Sequence, residues 1–141
     1  MILLDTDHLS VLAFSTGPQG KNLTMRLREA VEEQFAITIV SAEEQMRGWL
    51  AELRRQHSIP KQVPVYERLA MLIDFWSGWD IVRFDMRAST KFEQLVKQRI
   101  RIGAQDLKIV AIALVHNALL LSANLQDFQQ VPGLRVEDWL S

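Results

Sequence analysis

The chain contains no cysteine. That one absence removes a disulfide framework, a thiolate zinc site, an iron–sulfur cluster and a cysteine nucleophile together. Glycine and proline are scarce, at six and four among 141 residues, and the charged fraction is 23%, which excludes collagen-like, low-complexity and disordered classes. No long hydrophobic run is present. The longest, Ile109 to Leu121, is interrupted by His116 and Asn117 and falls short of the roughly 20 residues that cross a bilayer, so no membrane association is expected. No basic segment precedes Asp5, so no targeting signal is visible and a cytoplasmic location is expected. Repeats and Pro/Gly/Ser-rich linkers are also missing, so residues 1–141 read as a single domain.

What the chain does have is apolar material, 48% of its residues, enough for a packed core. It also has an uneven distribution of charge behind a formal net of −1. Residues 1–44 carry three basic and seven acidic side chains, residues 45–101 carry eleven and six, and residues 102–141 carry two and four. Solvated helix faces account for such a pattern, and so does a cationic rim beside an anionic centre.

Short apolar runs at 2–4, 36–40, 81–84 and 119–121 have the length of buried strands, with a further short strand at 135–139. Between them the spacing predicts helices over 7–14, 23–35, 42–56, 65–76, 88–100 and 106–118, as in Leu69, Leu72, Ile73 and Trp76. Strands apolar on both faces, alternating with helices, predict an α/β fold with a mainly parallel central sheet covered on both sides. In such folds the carboxyl ends of the strands hold the functional site.

Four carboxylates fall at that edge. Asp5 follows the first strand, Glu44 opens the helix after the second, Asp106 opens the helix before the fourth, and Asp127 follows the fourth. Each has a local explanation: Ser41 and Glu44 match a capping box, Asp5 or Asp7 caps the first helix, Asp106 complements a helix dipole, and Asp127 caps a turn at Asn124. As a convergent group they would repel at about 4 kcal/mol per pair 4 Å apart at an effective dielectric of 20. A convergent group therefore requires a cation. Oxygen donors without cysteine or a spaced histidine pair favour Mg²⁺ or Mn²⁺, and such ions suit phosphodiester hydrolysis.

The stretches around these acids carry a family resemblance. Leu3-Leu4-Asp5-Thr6-Asp7-His8-Leu9-Ser10 resembles the first motif of PIN-domain ribonucleases, especially VapC toxins of toxin–antitoxin pairs. Val40-Ser41-Ala42-Glu43-Glu44-Gln45-Met46-Arg47-Gly48 resembles the second, in which a glutamate stands four residues before a glycine, which selects Glu44 over Glu43. Residues 102–111 resemble the third, and 121–128 followed by 131–139 resemble the C-terminal signature. The pattern departs from the commoner one at Ser122, where threonine is usual, and at Gln105, where asparagine is frequent. The resemblance implies a three-layer α/β/α PIN-like domain that cuts RNA with Mg²⁺ or Mn²⁺ and is inhibited by a small antitoxin protein. Asp5, Glu44, Asp106 and Asp127 would be its catalytic and metal-binding acids, and Asn124 would line the site.

Ser122 and Arg47 join Asn124 as candidate substrate contacts, Ser122 through its hydroxyl and Arg47 one turn beyond Glu44. Arg54, Arg55, Lys61, Arg87, Lys97, Arg99 and Arg101 are further candidates for holding phosphates. Asp5-Thr6-Asp7 also resembles the nucleophile motif of haloacid-dehalogenase-type phosphatases, but Leu9 departs from that pattern. His8, His57 and His116 form no i, i+4 pair and read as structural or solvated, and the four tryptophans read as core or interface. A PIN-like module that binds RNA or protein without turnover is the alternative to an enzyme. Either form allows a homodimer through a helix such as 65–76.

Overall fold

A computed structural model describes residues 1–141. Five parallel strands form one sheet in the order β3-β2-β1-β4-β5. They are β1 (Ile2–Leu4), β2 (Phe35–Thr38), β3 (Asp80–Val82), β4 (Leu119–Leu121) and β5 (Arg135–Glu137). Seven helices connect them: α1 (Thr6–Phe14), α2 (Pro18–Glu29), α3 (Ile39–Arg55), α4 (Ile59–Trp76), α5 (Met86–Lys97), α6 (Ala104–Val115) and the single turn α7 (Leu125–Phe128). No helix is long and apolar enough to cross a membrane.

The apolar strands divide their side chains between two layers because successive residues of a strand point to opposite faces. Leu3, Ala36 and Leu120 face a core shared with α5 and α6, including Leu95, Ile109 and Ile112. Ile2, Leu4, Ile37 and Leu121 face a second core with Leu9 of α1, Leu23 of α2 and the C-terminal Trp139 and Leu140. Leu3, Leu4, Leu120 and Leu121 are wholly inaccessible. Truncating any of them to alanine would cost about 2–5 kcal/mol.

β1 lies between β2 and β4, with Leu3 in register with Ala36 on one side and Leu120 on the other. The chain first builds outward through β2 and β3, then crosses back to place β4 on the opposite flank of β1. This reversal of direction opens a crevice beyond the carboxyl ends of β1 and β4. Asp5 and Ser122 are the first residues after those two strands.

The sequence-derived boundaries are right for β1 and β4 and off by a few residues elsewhere. α2 starts at Pro18 with Gly17 as its N-cap, and ends well before Phe35, which belongs to β2. α4 starts at Ile59, six residues earlier than its apolar period suggests. Ser58 caps it, Pro60 sits in its first turn, and Pro64 lies within it. Proline is suited to the first turn, and deeper in it forfeits a ladder bond. The capping box at Ser41 is not formed. Thr38 is the N-cap of α3, its hydroxyl accepting from the Ser41 amide at 3.0 Å, so Glu44 lies in the second turn and is free for another role.

Candidate active site at the carboxyl edge

Asp5 has two functions. It is the N-cap of α1, with Oδ1 accepting from the Thr6 amide at 2.8 Å. Its other oxygen accepts from the Ser122 hydroxyl at 2.8 Å, which joins the ends of β1 and β4. Only 6% exposed, the carboxyl is pushed up to about 6, first by burial and then by the Asp7 charge, against the pull of the Ser122 and Thr6 hydrogen bonds.

Glu44 approaches from α3. The Thr6 hydroxyl donates to its Oε2 at 2.9 Å. Its Oε1 is buried and is the one buried side-chain polar atom in the structure without a hydrogen-bond partner. Burial raises its proton affinity, as do the Asp106 and Glu43 charges, while the Thr6 hydroxyl and Arg47 oppose them. Asp106, in the first turn of α6, is raised by burial and then by the charges of Asp127 and Asp7. Asp127, in α7, accepts from Asn124 Nδ2 at 3.0 Å. The Asn124 amide in turn donates to Ser122 Oγ at 3.1 Å.

Asp106 is the link among the four acids, its charge acting on Asp5 and on Glu44 and Asp127's charge acting on it, although they come from four elements. Their side chains are not already gathered, three or more together, around one ion-sized point. A divalent cation fits by donor chemistry: hard oxygens, repelling charges, and one buried carboxylate oxygen with nothing to bind.

Asp7 is the residue whose place in this site the sequence did not reveal. Read as a helix-capping candidate, it instead accepts from the Ala123 amide at 2.9 Å and lies 3.3 Å from the Ser122 hydroxyl. Burial pushes its carboxyl up, but hydrogen bonds from His8 and Ala123 outweigh that and hold it below the ordinary range. His8 is wholly buried. Its Nδ1–H donates to Asp7 at 2.6 Å and its Nε2 accepts from the Trp139 amide at 3.0 Å, so the C-terminal segment is tied to the site. The only signal in the sequence was the proximity of Asp7 and His8 to Asp5.

The other candidates lie farther out. Glu43 is exposed and accepts from Gln105 Nε2 at 2.8 Å. It also forms an ion pair with Arg47 one turn later. Arg55 is likewise paired with Glu52, and Arg87 with Asp85. Trp139 is buried, and Trp76 donates its indole N–H to Gln45.

No family model matches the chain. Among curated proteins, ribonuclease VapC1 of Rickettsia felis is 48% identical over 42 residues, 30% of this chain and 31% of that one. Ribonuclease VapC2 of the same organism is 29% identical over 94 residues, 64% of this chain and 69% of that one. Over these stretches the chain is similar to VapC ribonucleases. Among solved structures, DNA-bound VapBC from Salmonella typhimurium superposes with a TM-score of 0.76 at 20% identity, covering 98% of this chain and 97% of that one. The VapC-like chain therefore has the three-layer PIN fold throughout its length, whereas its sequence matches span from under a third to about two thirds of the curated relatives.

Proposed function

We propose that this VapC-like chain is a metal-dependent endoribonuclease of the cytoplasm and the toxin of a VapBC-type pair, held inactive by a small antitoxin protein. The observation that carries the enzymatic reading is the unpartnered, buried Glu44 oxygen among carboxylates that repel one another. A domain that only binds gains nothing from such an arrangement. The likeness to proteins named ribonuclease VapC supports the choice of RNA, and the likeness to VapBC supports the antitoxin. A homodimer is compatible with the exposed Tyr66 and Ile73 on α4.

Asp5, Glu44, Asp106 and Asp127 would hold Mg²⁺ or Mn²⁺. Bound there, the ion would supply charge neutralisation at the phosphoryl oxygens and lower the pKa of the attacking water. The chain's own residues do the positioning. Ser122 and the Thr6 amide fix both oxygens of Asp5, Thr6 fixes one oxygen of Glu44, and Asn124 fixes Asp127. Glu44, with raised proton affinity and one unpartnered oxygen, is suited to accept the proton of the water that attacks phosphorus as the bond to the leaving oxygen breaks. Asp5 is too buried and too fully hydrogen-bonded to serve as the nucleophile of a phosphatase. The test is cleavage of single-stranded RNA by the purified chain. Cleavage with Mn²⁺ and none in EDTA is expected, and binding without cleavage under both conditions would leave the non-catalytic module.

A further inference from the structure

Helix α3 contains a glycine for which its own packing gives no reason. Gly48 is the tenth of seventeen residues, a position where only proline is less favourable. A Cβ placed on it meets nothing within 4 Å. Its open side instead borders a cleft of about 870 Å³ between α1, α3 and α4. Thr6 and Glu44 form one part of the wall, and Glu44 lies one turn before Gly48 on the same helix face. The cleft is therefore continuous with the acidic site.

The opposite wall has a different character. Lys61 and Arg68 of α4 line it, and neither pairs with a carboxylate, unlike Arg47, Arg55 and Arg87 of the same basic segment. Arg68 lies 5.0 Å from the centre of the Phe14 ring, and Phe14 meets Trp49 edge-on at 6.0 Å. Trp49 also lines the cleft. Cations without a carboxylate partner beside a half-buried aromatic ring that lines the cleft, set apart from an acidic centre, are the combination that holds a single nucleic-acid strand: phosphate against the cations, base against the ring.

We infer that this cleft binds the nucleotide adjoining the scissile phosphate of single-stranded RNA. Gly48 leaves the space its base or ribose fills, and Lys61 and Arg68 hold its phosphate. The inference rests on the ribonuclease reading above, and its test is separate. Fluorescence anisotropy with a fluorescein-labelled, random-sequence single-stranded RNA pool, in EDTA, measures binding without cleavage. Gly48→Leu should weaken binding about tenfold, the loss of one stacked base, whereas Gly48→Ala should melt higher than wild type, showing that the helix tolerates a side chain there. In the Lys61→Ala, Arg68→Ala double variant, the slope of log affinity against log salt should fall by about 0.7 per cation. Unchanged affinity in Gly48→Leu, an unchanged salt slope in the double variant, or no binding by wild type overturns the inference. A wild type that cleaves RNA with Mn²⁺, while its cleft variants bind RNA normally, keeps the ribonuclease reading and loses this subsite.

Discussion

The Thr6 hydroxyl donates to Glu44 Oε2 across 38 residues of sequence, leaving Glu44 Oε1 buried and unpartnered. Thr6→Val preserves shape and removes this donor. Losing a bond of this kind behind a metal ligand costs roughly ten- to a hundredfold in ion affinity, so calorimetric titration with Mn²⁺ should show weakened binding at unchanged circular dichroism. Equal affinity in wild type and Thr6→Val would remove Glu44 from the ion site.

Asp5 makes the metal-free protein sensitive to pH. Its carboxyl moves from an ordinary 3.8 to about 6 on folding. A raised folded-state value stabilises the fold below the unfolded value, and that contribution disappears as pH rises through the folded one. About 3 kcal/mol is therefore lost between roughly pH 4 and pH 7, and Glu44 and Asp106 act in the same direction. Asp7 has the opposite sign, but its effect falls below its ordinary 3.8. Urea denaturation in EDTA should show wild type weakening over this range, with Asp5→Asn flatter and more stable at pH 7. A flat wild-type profile contradicts the burial of an ionising Asp5.

Ser122 tests the residue choice at the end of β4. Its hydroxyl donates to Asp5 and receives the Asn124 amide. Ser122→Ala should raise the Asp5 carboxyl further and weaken Mn²⁺ binding, while Ser122→Thr, which keeps the hydroxyl, should bind as wild type. If alanine and threonine behave alike, the hydroxyl has no part in orienting Asp5.

His8 ties the C-terminal segment to the site through Asp7 and the Trp139 amide. His8→Ala leaves the Trp139 amide unsatisfied and opens a cavity, so it should cost about 2–4 kcal/mol by denaturant unfolding. His8→Asn, able to donate to Asp7, should recover ion affinity better than stability. Loss of both to the same degree in the two variants would make His8 a packing residue only.

Much of this architecture was readable from the residues. The apolar triplets 2–4 and 119–121 announced strands buried on both faces, and both are interior strands of the sheet, β1 at its centre and β4 beside it. The alternation with helices gave the parallel sheet, whose switch point places Asp5 and Ser122 together. Less legible were features decided by competition between local alternatives. Thr38 and Ser41 both offered a cap for α3, and Thr38 takes it, which frees Glu44 for Thr6. Pro60 and Pro64 look like breakers of α4, yet Ser58 starts the helix before them. Asp7 sits where capping acids sit, and only the folded crevice brings Ala123 and Ser122 to it. Charge counts placed eleven cations in the middle segment. Arg47, Arg55 and Arg87 neutralise carboxylates near them in sequence, a pairing that composition does not show.

The central claim is that the carboxylates beyond the sheet carry out metal-dependent RNA cleavage. Asp106→Asn tests it most directly, because Asp106 caps no helix and its neutralisation relieves repulsion from Asp127 and Asp7, so the variant should fold. With Mn²⁺ and single-stranded RNA as substrate, its cleavage rate should fall about a thousandfold or more relative to wild type, equivalent to roughly 4 kcal/mol of lost transition-state stabilisation. A well-folded Asp106→Asn that cleaves at the wild-type rate, with the same dependence on Mn²⁺, would contradict the account.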